Sequence, residues 1–351
     1  MNMEKKRLSV VGASGRSRLD NLRLRAHCLS AFRESMKKRG IMEVETPALI
    51  RYPGLELHLD PIPVFGEGFL ATSPEFQMKR LLAGGSGSIY YLGKAFRRGE
   101  RGPHHNPEFT IAEWYRVGMS YKELMDETAE IVAEVAREVL GTTVVKRHGG
   151  GFLDLSPPWK VVTVEEAFGD YAGIRIGEES SEAWKEPNLE AAEALRVSAR
   201  QVGVRVPDDS TWEETFFRIF VEYVEPKLNC DGPVFLTDWP VTLAALSRVN
   251  QTEDGRRFAE RFEIYGGGVE LANAFGELVD PQEQRMRMTA DVRHREDAGK
   301  PVYGVDETFL SALEEGLPEC SGIAMGFDRL VMLLAGSSDI KEVSAFVFEE
   351  V

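Results

Sequence analysis

The sequence predicts an α+β fold, and three observations lead to that prediction. Residues 89–97 and 107–115 have the composition of two strands joined by a loop of Gly, Arg and His, which indicates a hairpin. Strand signals return at 233–237 and again at 261–278. Segments with helical periodicity and helix-capping residues lie before, between and after these strands, as in folds of the α+β class.

The first helix is predicted at residues 18–39. Leu22, Ala26 and Leu29 form an apolar stripe at helical spacing, and Gly40 provides the stop. We therefore expect this stripe to be the buried face of the helix.

Capping boxes predict the starts of later helices. In such a box the Ser or Thr side chain and the Glu three residues on satisfy each other's backbone N–H groups. Three occur: Ser120-x-x-Glu123, Thr163-x-x-Glu166 and Ser210-x-x-Glu213. A further helix is expected after Asp280-Pro281, because proline is well tolerated at the first helical position.

Composition along the chain predicts its organisation. Residues 141–160 turn to Gly, Pro and basic residues, which indicates a boundary. We predict an N-terminal tail at 1–17 and a catalytic domain at 18–351. That domain is expected to contain a helical insertion at about 160–230.

Overall composition excludes some classes of protein. A hydrophobic fraction of 43% in 351 residues allows a large core, and no apolar run is long enough to cross a membrane. The net charge of −15 argues against generic nucleic-acid binding. Cys28, Cys230 and Cys320 form neither a zinc pattern nor a disulfide framework, and the N-terminus lacks an apolar signal core. We predict a cytoplasmic protein.

Alternation along the hairpin predicts a ligand-binding face. Four side chains of the second strand share one face: Phe109, Ile111, Glu113 and Tyr115. In the first strand, Gly93 and Ala95 leave room before Arg97, which can neutralise a phosphate. Phe109 can stack on a purine, and Arg329 can cover the base or grip the γ-phosphate. A solvated hairpin explains any one of these residues alone, but not their combination.

Two glutamates are candidate magnesium ligands, because Mg²⁺ prefers a few carboxylates together with water. They are Glu263 and Glu270. Strict alternation would place them on opposite faces, so a bulge or turn at Gly266–Gly268 is required. The same difficulty separates Glu270 from Asn273, and no glycine lies between those two residues.

Further carboxylates predict a pocket for a diamino acid. Glu75 lies just before a helical run and can meet an α-amino group, while Glu113 and Glu277 can meet a second cation. His104 and His105 have no Cys or acid at ligand spacing, so we expect no zinc site there.

Three motifs carry a resemblance to class II aminoacyl-tRNA synthetases of the lysyl branch. Gly40–Pro47 resembles motif 1, Phe96–Arg97 with His105–Thr110 resembles motif 2, and Gly322–Arg329 resembles motif 3. From about residue 18 onward, the chain is most similar to the elongation factor P–(R)-β-lysine ligases, with phrases such as HNPEFTIAEWYR and VELANAFGEL. The resemblance implies a class II synthetase-like antiparallel sheet flanked by helices, and a homodimer formed through motif 1.

The resemblance also implies roles for individual residues. ATP contacts are implied for Arg97, Glu100, His105, Phe109 and Arg329, with Arg97 and Arg329 acting in catalysis. Magnesium is implied at Glu263 and Glu270. Amino-acid contacts are implied for Ser73, Glu75, Glu113, Tyr115, Asn273, Phe275, Glu277 and Ala324.

Three departures from lysyl-tRNA synthetases refine the expected function. Only 39 residues precede Gly40, too few for an anticodon-binding domain. Ala324 stands where those synthetases have glycine; the ligases share the alanine, which implies a pocket for β-lysine over α-lysine. Gly99 replaces the usual motif 2 glutamate, and Glu100 is the candidate substitute.

Three functions remain as hypotheses. The leading one is ATP-dependent activation of (R)-β-lysine, or lysine, and its transfer to a lysine of elongation factor P. The second is a truncated lysyl-tRNA synthetase that acts on tRNA or makes only lysyl-adenylate; tRNA is the less favoured partner. The third is a non-catalytic nucleotide-binding regulator, which would be expected to have lost at least one of Arg97, Glu263, Glu270 and Arg329.

Overall fold

The computed structural model describes residues 9, 11–12, 15–176, 188–228, 232–253 and 255–351. The described residues leave out most of the tail predicted at 1–17. They also leave out residues 177–187 and 229–230 of the predicted insertion, and so Cys230. The division into tail, catalytic domain and insertion stays a prediction.

The helices, in chain order, are α1 (Arg18–Lys38), α2 (Glu75–Ala83), α3 (Tyr121–Leu140), α4 (Val164–Ala167), α5 (Leu189–Gln201), α6 (Trp212–Ile219), α7 (Pro281–Asp297), α8 (Glu307–Gly316) and α9 (Phe327–Ala335). Helices α4 to α6 fall in the stretch predicted to be a helical insertion. Short 3₁₀ and π turns follow α4 and α6 and close the chain.

The strands, in chain order, are β1 (Met42–Glu43), β2 (Leu49–Ile50), β3 (Ile62–Val64), β4 (Gly68–Leu70), β5 (Ile89–Phe96), β6 (Glu108–Val117), β7 (Val144–Lys146), β8 (Phe152–Asp154), β9 (Lys160–Thr163), β10 (Val234–Trp239), β11 (Val249–Gln251), β12 (Arg257–Gly266), β13 (Val269–Gly276) and β14 (Cys320–Gly326).

The central sheet has the order β1-β5-β6-β14-β13-β12-β10-β9, and β11 pairs with β12. The pairs from β5 through to β10 are antiparallel, whereas β1 and β9 add to the two edges as parallel strands. The predicted α+β class and the antiparallel sheet flanked by helices are confirmed. Strand β14 lies between two hairpins that are distant in sequence, so it brings motif 3 beside motif 2.

One face of the sheet forms the main core with α1, α3 and α9. Phe32 of α1 lies at its centre, with its ring 5.8 Å from Trp114 and 5.7 Å from Phe327. Such edge-on aromatic contacts add to the free energy gained by burying the rings. The other sheet face is covered only in part, by α2 and α8, which leaves room for a site.

Helix α1 begins and ends as predicted, but its predicted buried stripe is wrong. Ala26 is exposed, and Leu22 is only partly buried. The buried side is offset by about one residue and runs through Leu24, Cys28 and Phe32. Burying this stripe is favoured over burying the predicted one, because Phe32 extends it to a fourth turn and more apolar area is removed from water.

Two of the three predicted capping boxes are confirmed, at Ser120 and Thr163, as is the start of α7 after Asp280. The third is displaced by one residue, since Thr211 caps α6 and pairs with Glu214. Ser210 is buried, and its carbonyl accepts a hydrogen bond from Arg196. The carboxylate of Glu213 is therefore not used for capping.

Candidate active site

The partly covered sheet face forms a cavity of about 570 Å³, a size typical of small-molecule sites. Residues of β6, β13 and β14 line it, and β12 contributes Arg261. All the predicted site residues except Glu263 line this cavity: Ser73, Glu75, Arg97, Glu100, His105, Phe109, Glu113, Tyr115, Glu270, Asn273, Phe275, Glu277, Ala324 and Arg329.

One end of the cavity is built around a buried lysine. The Nζ atom of Lys79 lies 2.7 Å from Glu75 Oε1 and 2.6 Å from Glu277 Oε2, and its side chain is 0% exposed. Burial alone would lower the pKa of Lys79, but the carboxylates of Glu277 and Glu75 outweigh it and raise the pKa above its ordinary value. Lys79 therefore stays charged and fixes both carboxylates.

A third carboxylate, Glu113, lies beside this group. It accepts hydrogen bonds from the hydroxyl of Ser73 at 2.8 Å and from that of Tyr115 at 2.8 Å. Burial and the nearby charge of Glu75 raise its pKa, and burial likewise raises the pKa of Glu277. A cationic ligand would favour the charged form of both groups.

Glycine and alanine in β14 shape the floor of this end. A Cβ at Gly322 would overlap with Glu277 and with the ring of Tyr115, so only glycine allows both side chains their positions. Ala324 pairs with Asn273 on one side and with Glu113 on the other. Its methyl group therefore lies between two predicted amino-acid contacts.

The other end of the cavity carries the arginines. The guanidinium of Arg97 lies 4.9 Å from the centre of the Phe109 ring, and its Nη1 atom is 3.6 Å from Glu100 Oε1. Arg329 donates to the carbonyl of Glu270 at 2.7 Å and contacts His105 Nε2 at 2.8 Å. Burial and Arg329 lower the pKa of His105, which keeps that nitrogen free to accept.

Arg329 is positioned by a buried network at the start of α9. The carboxylate of Asp328 accepts from the backbone N–H of Thr110 at 2.7 Å and pairs with Arg25 of α1 at 2.5 Å. Arg25 also donates to the hydroxyl of Thr110 at 2.7 Å. Motif 3 is thus tied to motif 2 and to α1.

A bulge brings Glu270 onto the cavity face. The chain turns at Gly267–Gly268, as the sequence required, and the register then shifts between Ile264 and Tyr265, which leaves Leu271 without a partner in β12. This shift resolves the difficulty between Glu270 and Asn273 without a glycine, because an extra residue in one strand resets the alternation.

Glu263 pairs with Asn273 and so shares the cavity face, but it is buried and is held by residues of its own strand. It accepts from Arg261 at 2.5 Å and from the hydroxyl of Tyr265 at 2.6 Å. Burial raises its pKa, and so does the charge of Glu270, which places the two carboxylates near each other.

The room predicted beside Gly93 is absent. The ring of Tyr91 fills it, and the Tyr91 hydroxyl donates to the carbonyl of Lys94 at 2.9 Å. Gly93 therefore adds no open space to the site.

Two site residues were missed by the sequence reasoning. Lys79 lies one helical turn after Glu75, a spacing at which opposite charges interact, and this signal could have identified it. Arg261 donates to Asn273 at 3.1 Å and stacks 4.2 Å from Trp239. Its position two residues before Glu263 on the same face was the available clue.

Comparison with known proteins agrees with this geometry. A family model for class II tRNA synthetases (D, K and N) matches residues 4–350. Proteins named elongation factor P–(R)-β-lysine ligase are 38% identical in Vibrio parahaemolyticus over 94% of this chain and 96% of theirs. The Vibrio cholerae protein of that name is 39% identical over 94% of this chain and 96% of its own length. The Proteus mirabilis protein is also 39% identical, over 93% of this chain and 94% of its own length.

This chain belongs to the elongation factor P–(R)-β-lysine ligase family. The predicted resemblance is confirmed, and the chain is an enzyme of the ligase class with a class II synthetase fold. In this member of the ligase family, no helix in the described ranges is long and apolar enough to cross a membrane.

Proposed function

We propose that this enzyme activates (R)-β-lysine, or lysine, with ATP and transfers the aminoacyl group to a lysine side chain of elongation factor P. The charge of the cavity carries the proposal. Glu75, Glu113 and Glu277 together with Lys79 leave two net negative charges, which match the two ammonium groups of a diamino acid. The relatives are named for (R)-β-lysine and for elongation factor P, which supports both the amino acid and the acceptor.

The arginine end is suited to ATP. In activation, a carboxylate oxygen of the amino acid attacks the α-phosphorus of ATP and pyrophosphate leaves. Arg97 and Arg329 would stabilise the charge that develops on the phosphate oxygens. Since Arg97 now covers Phe109, a purine can stack on that ring only when Arg97 turns toward the phosphates.

Glu270, whose side chain is 38% exposed, and Glu263, whose charge interacts with it, would hold magnesium. Among the described residues no group of three or more His, Cys, Asp or Glu is arranged for a metal ion. Two carboxylates with triphosphate oxygens and water are, however, what Mg²⁺ commonly uses. When bound, the ion would neutralise charge on the phosphates.

The alternatives are less well supported. A non-catalytic regulator does not require the paired arginine and carboxylate ends that this cavity retains. A net charge of −15 gives no general attraction for tRNA phosphates. Cys28 and Cys320 are free and buried, which supports the proposed cytoplasmic location.

ATP–pyrophosphate exchange tests the activation step. We expect exchange with (R)-β-lysine and lysine, and none with leucine, because leucine leaves the carboxylates without a cation. If none of these amino acids supported exchange, the non-catalytic regulator would be favoured.

Replacing Ala324 by glycine should shift the choice of amino acid. The change removes one methyl group between Asn273 and Glu113, a step worth about 1–3 kcal/mol in discrimination. We expect the wild type to prefer (R)-β-lysine and Ala324→Gly to move kcat/KM toward α-lysine by roughly tenfold or more. An unchanged ratio of the two kcat/KM values would show that Ala324 is not the discriminating wall.

We further propose a homodimer formed through α1 and the motif 1 strand. Met42 and Leu49 near this strand are exposed, by 51% and 46%, which supports burial against a second copy. We expect light scattering at micromolar concentration to give twice the chain mass of 39.3 kDa. A monomer under those conditions would contradict the proposal, and Met42→Glu should weaken the dimer.

A further inference from the structure

Three carboxylates in the cavity are not used by amino-acid activation as described above. They are Glu56 from the loop before β3, Glu213 from the first turn of α6, and Asp291 from α7. Three separate parts of the chain therefore contribute carboxylates to the lining of one cavity. In the described part of the chain, the side chains of Glu213 and Asp291 form no hydrogen bond or ion pair, and Oε2 of Glu56 is buried without a hydrogen-bond partner.

The nearest arginines are already engaged with other groups. Arg287 donates to the carbonyls of Ala245 and Ser247 at 2.6 and 2.8 Å. Arg295 donates to the carbonyl of Glu56 at 2.8 Å and to the carboxylate of Asp60 at 2.8 Å. These bonds hold the wall in place but do not reach Oε2 of Glu56.

The charges of two of these carboxylates act on the third. Burial raises the pKa of Asp291 to about 7, and the charges of Glu56 and Glu213 add to the effect. Burial raises the pKa of Glu56 as well, with a contribution from Glu75. The charge of Glu56 therefore interacts both with Glu75 at the amino-acid end and with Asp291. A carboxylate such as Asp291, perturbed by burial and by neighbouring charges in a cleft, is a candidate for a functional site.

Local structure holds Glu56 in this position. A Cβ at Gly54 would overlap with Oε2 of Glu56, so the glycine provides the space that the carboxylate occupies. Its φ is not in the left-handed region, so alanine at this position would displace the flexible end of Glu56 without straining the backbone.

The outer group, which consists of Glu56, Glu213 and Asp291, is suited to a cation other than the amino acid. The two ammonium groups of a diamino acid are already matched by the group around Lys79. We propose that Glu56, Glu213 and Asp291 form an acceptor subsite, which binds the ε-ammonium of the protein lysine to be modified and takes a proton from it. This inference rests on the proposed function and extends it to the second half-reaction.

The chemistry of that step requires such a group. The acceptor ammonium transfers one proton to a carboxylate, and the resulting amine attacks the carbonyl carbon of the aminoacyl-adenylate. A C–N bond forms, the C–O bond to the phosphate breaks, and AMP leaves. The amide nitrogen releases its second extra proton to solvent. A base whose pKa lies near the working pH is suited to the first transfer.

Measuring activation and transfer separately distinguishes a role in binding the acceptor from a role in activating the amino acid. We expect Asp291→Asn and Glu213→Gln, alone and together, to leave pyrophosphate exchange and its KM for the amino acid within about twofold. Transfer from preformed adenylate to elongation factor P should fall by about 10²-fold in the double variant, the usual order for losing a positioned base. Gly54→Ala should impair transfer in the same way. Glu296→Gln, on the exposed side of α7, is the matched control and should transfer at the wild-type rate.

A small acceptor keeps the test independent of the protein partner. Nα-acetyl-lysine amide should accelerate AMP release by the wild type in a saturable manner, while Nα-acetyl-norleucine amide should not, and the double variant should lose this acceleration. If the wild type fails to modify the factor but responds to the lysine amide, the proposed function fails and the subsite stands. Normal transfer by the double variant, a raised KM for the amino acid in exchange, or no response to either acceptor would overturn the subsite.

Discussion

Replacing Arg329 by alanine is expected to lower ATP–pyrophosphate exchange by about 10²- to 10³-fold, the usual cost of removing one preorganised donor from a developing charge. In the structure its guanidinium is aimed by the carbonyl of Glu270 and by His105, and Asp328 fixes the start of its helix. Because protein groups already hold the guanidinium in place, little reorganisation is needed when the nucleotide binds. The fall should therefore appear in kcat more than in the KM for the amino acid.

Two further variants separate charge from geometry. Arg329→Lys keeps the charge but loses the planar fork, so it should recover only part of the activity. Arg285→Ala removes an exposed arginine that pairs with Glu307 outside the cavity, and should leave exchange unchanged. An exchange rate in Arg329→Ala equal to that of the wild type would remove Arg329 from the site.

Replacing Lys79 by methionine should destabilise the protein strongly. The side chain of Lys79 is fully buried between two carboxylates, and breaking a buried pair by removing one partner typically costs about 3–5 kcal/mol. We expect the free energy of unfolding, measured by urea denaturation, to fall by an amount of that order. Amino-acid affinity should fall too, because Glu75 and Glu277 lose the group that positions them.

The pH dependence of the stability of Lys79→Met tests whether the loss comes from unpaired carboxylates. Burial already raises the pKa of Glu277 and the charge of Lys79 opposes that rise, so without Lys79 the pKa of Glu277 would be higher still and its protonation would favour the folded state. The variant should therefore recover part of its stability as the pH is lowered from 8 toward 6. Lys94→Met removes a lysine that is 51% exposed and paired with Glu108, and should cost at most about 1 kcal/mol. A similarly small loss in Lys79→Met would contradict the account of this end of the cavity.

Local patterns were sufficient for most of the fold. The capping boxes at Ser120 and Thr163, the proline after Asp280 and the hairpin of β5 and β6 depend on neighbours in sequence, so the sequence contains their causes. Which stripe of α1 is buried depends instead on what packs against it. Ala26 was assigned to the wrong face because Trp114 and Phe327, which receive Phe32, are distant in sequence.

In the candidate site, too, features set by sequence neighbours were predicted and features set by tertiary packing were not. Alternation along β6 correctly grouped Phe109, Glu113 and Tyr115 on the cavity face. It could not show that Tyr91 fills the space beside Gly93, since that depends on a side-chain rotamer. The bulge at Leu271 was also beyond reach, because register shifts depend on the pairing of whole strands.

The outer carboxylates illustrate the limit most clearly. Glu213 was predicted to cap a helix from Ser210, and only the burial of Ser210 moves the cap by one residue and frees the carboxylate. Glu56 and Asp291 come from other parts of the chain, and no local pattern marks them as neighbours. Their convergence is a property of the tertiary structure.

The most direct test of the central claim is intact-mass spectrometry of elongation factor P after incubation with the enzyme, ATP and (R)-β-lysine. A parallel reaction should offer lysine-accepting tRNA to the same enzyme. We predict a mass gain of one β-lysyl group on the factor, lost when its acceptor lysine is replaced by arginine, and no charging of the tRNA. Efficient tRNA charging with no mass gain on the factor would contradict the proposal and favour a truncated lysyl-tRNA synthetase.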